Sequence, residues 1–141
     1  MREELQGLLC FAGVALFGIG LATGFAVPRL RSPRIGLSAH VAAIQMGLAL
    51  VALGLVGAHL ALPEPWAAAI AHTLWISFYV LWLGLLVAAA FGTGGTLPIA
   101  GAGHRAQPWQ ERTAFALIAS SSLASAAALA ALLWQWSWRA V

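Results

Sequence analysis

Six polar side chains stand inside or at the ends of the long apolar runs of this sequence: His40, Gln45, His59, His72, Tyr79 and Gln135. Groups that can ligate a metal, move a proton or hold a polar substrate are costly in hydrocarbon, so they mark a function or a helix–helix contact. The sharpest concentration is RSPRIGLSAHVAAIQMG, Arg31–Gly47, where a basic, proline-broken loop runs straight into an apolar helical pattern. His40 enters that pattern near its start. An imidazole there can serve as a metal or axial haem ligand, although by residue type alone a lone histidine at a helix start is more often an ordinary interfacial residue. Gln45 follows one to two turns deeper but points about 140° away from His40. Gly47 lies two turns on, close to the His40 face, and leaves room for something flat beside the helix. His40 and His59 are roughly 28 Å apart along one helix and cannot share a metal within a protomer. His59 and His72 flank the short Pro63–Pro65 hinge and read as interfacial polar residues.

The elements that must position these groups are membrane spans. The chain has 141 residues, of which 62% are hydrophobic and 8% charged, with a mean hydropathy of +0.90. A soluble domain carries about a quarter charged residues, so that class is excluded. Four uncharged stretches, at about 5–27, 37–62, 66–91 and 113–138, each reach the roughly 20 residues needed to cross a hydrocarbon core. The expectation is an all-α, four-transmembrane-helix bundle forming one unit over 1–141. Arg2 is followed by Glu3 and Glu4 and the first apolar run is long, so it reads as a spanning helix, not a cleaved leader. The seven basic residues are all arginines, spread over loops and ends without a stripe or interleaved aromatics, which argues against nucleic acid as a partner. Cys10 is alone, with no intrachain disulfide open to it, and reads as a small buried hydrophobe.

Gly20-x-x-x-Gly24 in the first span allows close approach of another helix. Pro28 ends that span, and Arg29, Arg31 and Arg34 crowd the loop that follows. LPEPW, with Glu64, is short enough to make the second and third helices antiparallel neighbours. The third connection is glycine-rich and carries His104, Arg105, Glu111 and Arg112. The fourth span has Ser121 and Ser125 in small-xxx-small spacing and ends in an interfacial belt, Trp134, Trp136 and Trp138, with Arg139 beyond. The first and third loops hold five of the seven arginines, so the positive-inside rule places them in the cytoplasm and both termini outside. Four short spans leave little private core, which points to a homo-oligomer in a lipid bilayer.

SPRIGLSAHVAAIQMG, FYVLWLGLLVAAAFGTGG and LPIAGAGHRAQPWQE, in that order, resemble the hydroxylaminobenzene mutase family. More distantly they resemble the styrene oxide isomerases, which are also small four-helix membrane enzymes. The resemblance implies a multi-pass protein of a bacterial-type inner membrane that rearranges a small aromatic substrate intramolecularly. The reaction is arylhydroxylamine to aminophenol, or aryl epoxide to aldehyde, with no redox cofactor turned over. It also implies a trimer holding haem b between protomers, with His40 as axial ligand; Gly47, by its position near the His40 face, is the second cofactor-binding candidate. Ferric iron would act as a Lewis acid on the substrate oxygen in a dry pocket. Tyr79 matches a tyrosine that orients that oxygen or stabilises the intermediate. Two positions depart from the pattern: Met46 stands where the family has a substrate-contacting asparagine, and Leu81, next to Trp82, where the mutases tend to have another. Gln45 is the nearest amide and becomes the second candidate catalytic residue. Helix lengths put Trp82 level with about Gly47 and Tyr79 roughly 15 Å deeper than His40. The competing reading is a non-catalytic haem-binding or electron-transfer subunit, favoured by Met46 as a soft iron ligand. A small transporter or structural subunit is the third reading. Against it, no carboxylate lies inside a span to carry a proton or cation.

Overall fold

Pro33 and Pro108 open two of the four helices found in the computed structural model, which describes residues 3–57, 59 and 62–137. The elements are α1 (Glu3–Ala26), α2 (Pro33–Gly57), α3 (Glu64–Phe91) and α4 (Pro108–Ser137), with a single tighter turn at Val27–Arg29 after α1. All four helices are long and apolar enough to cross a membrane. Both α2 and α4 begin about one turn before the apolar runs do. Proline at the first helical position lacks only an N–H that would be orphaned anyway, and its φ is preset for the helix. The first turn of α2 closes through Gly36 N–H to the Ser32 carbonyl at 3.0 Å. α3 stops at Gly92, whose φ of 68° is left-handed and whose N–H donates to Ala88 O at 2.8 Å, a glycine C-cap. α2 ends at Gly57, short of the expected boundary near 62; residues 58, 60 and 61 lie outside the described residues. Trp138 and Arg139 of the expected belt also lie outside them, while Trp134 and Trp136 are exposed.

The inward faces are marked by small residues. Along α1 the buried positions are Leu9, Ala12, Gly13, Leu16, Gly20 and Thr23, recurring every three or four residues as one helical stripe requires. Because lipid is as apolar as leucine, helices associate here through close packing and polar bonds, and small residues let backbones touch. At the α1–α2 seam a Cβ on Gly47 would sit 2.7 Å from both Gly13 O and Phe17 N. Backbone meets backbone there. The space expected beside Gly47 is therefore filled by α1, and Gly47 is a packing residue within the protomer. A Cβ on Gly20 would come within 3.1 Å of Ala43 and Ile44, and one on Gly84 within 3.2 Å of Leu117 and Ile118, so the α3–α4 pair meets in the same way. Leu9, Leu16, Met46, Leu50, Leu74, Phe78 and Leu132 fill the shared core of all four helices.

The two arginine-bearing loops pack together at one end of the bundle. Arg31 donates Nη2–H to Arg105 O at 3.1 Å, and Ser32 N–H donates to Ala89 O at 3.0 Å. Beneath them Ile35, Ala88, Ala89 and Ala114 form a satellite core. Glu111 ties the long loop to α4. Its carboxylate accepts from Thr96 N–H at 2.8 Å, Thr96 Oγ1 at 2.7 Å and Gly95 N–H at 3.1 Å.

Candidate active site

His40 from α2 and Tyr79 and Trp82 from α3 each make a hydrogen bond to α1. His40, half-buried on α2, lies against the Gly20–Gly24 turn. Its Nδ1 is 2.7 Å from the Gly20 carbonyl. A Cβ on Gly24 would stand 2.9 Å from His40 Cε1 and Nδ1, so glycine is what lets the imidazole lie flat on α1. The other ring nitrogen, Nε2, has no hydrogen-bond partner among the described residues and is not sealed from the protomer surface. Leu21 and Phe25 on α1 and Leu37 and Val41 on α2, close to Gly24 and His40 in the sequence, are exposed apolar side chains.

From α3, Tyr79 donates its hydroxyl to Ala12 O at 2.8 Å. Trp82 donates its indole N–H to Thr23 Oγ1 at 3.1 Å, and Thr23, itself buried, donates to Ile19 O at 2.8 Å. The carbonyls taken by His40 and Tyr79 are eight residues apart, about 12 Å along α1, so the two side chains lie at different depths, as their positions in the sequence imply. Trp82 is a correction to the expected register. Its indole reaches Thr23, inside the Gly20–Gly24 turn that carries His40, whereas Gly47 packs further along at Gly13. The backbone register accounts for much of the offset: α2 starts at Pro33, four residues before the expected Leu37, and Ser32 N–H meets Ala89 O, which sets Trp82, seven residues before Ala89, opposite about residue 39.

Gln45 is exposed on the outer face of α2 and does not meet His40 or Tyr79 within the protomer. Met46 is buried in the common core, where its thioether fills apolar space. Leu81 is a half-buried neighbour of the same core. His59 and His72 are both exposed. His72 begins an aromatic ladder on α3: Trp75 donates its indole N–H to His72 Nδ1 at 3.1 Å, and the Trp75 and Tyr79 rings meet edge-on at 6.0 Å. Thr23, Trp75 and Trp82 escaped the sequence reading as partners of the site. A lone threonine deep in an apolar run was the available signal for Thr23.

Among the described residues, cavities lie away from His40 and Tyr79. One, of about 20 Å³, is lined by Leu9, Leu53, Ile70, Leu74, Leu132 and their neighbours, room for about one water. Another is an open cleft of about 370 Å³ between α3 and α4, lined in part by His72, Thr73, Ser77, Ser120 and Ser121. Neither includes His40, Tyr79 or Gln45.

Residues 5–137 match the styrene oxide isomerase family. Hydroxylaminobenzene mutase HabA of Ectopseudomonas oleovorans is 38% identical over 117 residues, covering 82% of this chain and 87% of that protein. Hydroxylaminobenzene mutase HabB of the same organism is 41% identical over 124 residues, covering 86% of this chain and 75% of that protein. No solved structure matches the chain. The family match takes in all four helices and every polar side chain gathered on α1, and two mutases align over most of the same length; the chain is an isomerase of the styrene oxide isomerase family.

Proposed function

We propose that the protein rearranges a small aryl substrate intramolecularly within the membrane, with haem b held by His40. Arylhydroxylamine to aminophenol is the favoured reaction, because the two relatives at 38% and 41% identity are hydroxylaminobenzene mutases; aryl epoxide to aldehyde is the second. The observation that carries the reading is the state of His40. One ring nitrogen is held by a backbone carbonyl and the other is unpartnered and reachable. That donor set fits an axial haem ligand, since ligating histidines almost always tie their other nitrogen to a carbonyl or carboxylate.

When bound, ferric haem supplies a Lewis acid that weakens the bond to the substrate oxygen. The chain's own residues do the rest. His40 fixes the cofactor at the α1–α2 seam. Tyr79, whose hydroxyl now donates to Ala12 O, is the donor that turns toward developing charge on the substrate. A group engaging both His40 and the Tyr79 region would extend over about 12 Å of α1, the spacing of the carbonyls these two side chains meet. Leu21, Phe25, Leu37 and Val41 are apolar side chains at that surface, and a neighbouring copy covering them keeps water from capturing a cationic intermediate.

The functional unit in this reading is a homo-oligomer, a trimer by resemblance, with haem between copies. α4 supports it. Only 17% of its most apolar window is buried in the protomer, and Ser120, Ser122, Ala126, Ala127 and Ala130 face outward, small residues of the kind that let helices of separate chains approach. Gln45 takes part in catalysis only if a neighbouring copy brings it to the site. The arginine loops face the cytoplasm of a bacterial-type inner membrane. Met46, buried in the core, lends no support to the non-catalytic haem subunit.

Haemin titrated into the haem-free protein in detergent tests the cofactor. A Soret band that saturates with added haem is expected. Spectra no different from haem in empty micelles would remove the cofactor from the reading.

A further inference from the structure

Histidine ligands differ in which ring nitrogen they offer, and that choice is set by the hydrogen bond the other nitrogen makes. A carbonyl only accepts hydrogen bonds. At 2.7 Å from Gly20 O, His40 Nδ1 must therefore carry a hydrogen, and in the neutral ring the lone pair is left on Nε2. The contact depends on Gly24. A Cβ there would fall 2.9 Å from Nδ1 itself, and the atom that must give way is the end of a side chain, not backbone. Elsewhere on α1 the geometry differs: a Cβ on Gly18 would meet nothing within 4 Å. His72 supplies the opposite case within the same chain. Its Nδ1 accepts an indole N–H from Trp75, so its hydrogen must sit on Nε2.

We propose that the Gly20–Gly24 turn of α1 is a positioning element that locks His40 in the Nδ1–H form and so presents Nε2 as the ligand atom. The pair Gly20 and Gly24 thereby does more than pack α1 on α2: Gly20 supplies the acceptor, and Gly24 supplies the space in which the ring can reach it. Neither residue touches the reacting atoms. The consequence for haem rests on the function proposed above; the consequence for the ring itself does not.

The test separates the two. Nitrogen NMR on haem-free protein carrying isotope-labelled histidine, at a pH where imidazole is neutral, reports the protonated nitrogen of each ring directly, with His40 assigned by its loss in His40→Asn. Wild type and Gly18→Ala are expected to show His40 protonated at Nδ1 and His72 protonated at Nε2. Gly24→Ala is expected to lose the fixed form at His40 while leaving His72 unchanged. In haem titrations the same variant should bind about 10–100-fold more weakly, the usual effect of disturbing a ligand's supporting bond, with Gly18→Ala as wild type. A wild-type His40 protonated at Nε2, or averaging between forms, overturns the proposal whether or not the protein binds haem. So does a Gly24→Ala variant that keeps the Nδ1–H signal. If the tautomers are as expected and no haem binds, the positioning of His40 stands and only its proposed cofactor fails.

Discussion

His40→Asn is expected to bind no haem and to lose about 10³-fold or more in turnover while keeping its place in the bundle. The asparagine amide is short but offers an N–H on the α1 side, toward the Gly20 carbonyl that His40 Nδ1 occupies at 2.7 Å, and it has nothing equivalent to Nε2. His40→Ala removes both. A Lewis acid acting on a departing oxygen removes several kcal/mol from a barrier, and each 1.36 kcal/mol is a factor of about ten in rate, which sets the expected loss. Stability should change little, because the hydrogen bond given up in His40→Ala is worth about 1 kcal/mol net. Absorption spectra, turnover per protein and thermal melts in detergent, measured on both variants, check this together. A full Soret band in His40→Asn would place the iron ligand elsewhere in the chain.

Tyr79→Phe is expected to keep the Soret band and to slow turnover by about 10²–10³-fold, the loss typical of one preorganised donor to developing charge. The structural role of the hydroxyl is small by comparison. It donates to Ala12 O at 2.8 Å, a bond worth about 1 kcal/mol net, and the carbonyl it leaves still lies within α1. The ring itself, stacked edge-on against Trp75, is kept in phenylalanine. Turnover normalised to bound haem, set beside the melting temperature, distinguishes the two roles. Unchanged turnover with a slightly lowered melting temperature would make Tyr79 a tie between α3 and α1 and nothing more.

The four spans were legible because length and apolarity are properties of the string itself. Their starts at Pro33 and Pro108 were not read from apolar runs, since proline-led first turns carry polar residues such as Arg34, Gln110 and Glu111. Which face turns inward was hidden for a physical reason. Phe25 is 80% exposed and Leu16 fully buried, yet lipid outside and core inside favour the same side chains, so hydrophobic pattern does not separate them. Gly20-x-x-x-Gly24 was correctly read as a place of close approach, but a motif does not name its partner, and the partner here includes an imidazole. The angle that turns Gln45 away from His40 followed from helix geometry alone. Gly47 and Trp82 did not follow, because one depends on what α1 brings to the seam and the other on where α2 starts and how it is set against α3.

Phenylhydroxylamine offered to the haem-loaded ferric protein, in water labelled with heavy oxygen and without nicotinamide or flavin, tests the central claim most directly. The expected product is an aminophenol of the same elemental composition as the substrate, its oxygen unlabelled, as an intramolecular transfer requires. Styrene oxide run in parallel should give the aldehyde if the epoxide reaction is the native one. No conversion of either compound, or an aminophenol carrying oxygen from the solvent, would contradict the assignment of this membrane protein as an intramolecular isomerase of small aryl substrates.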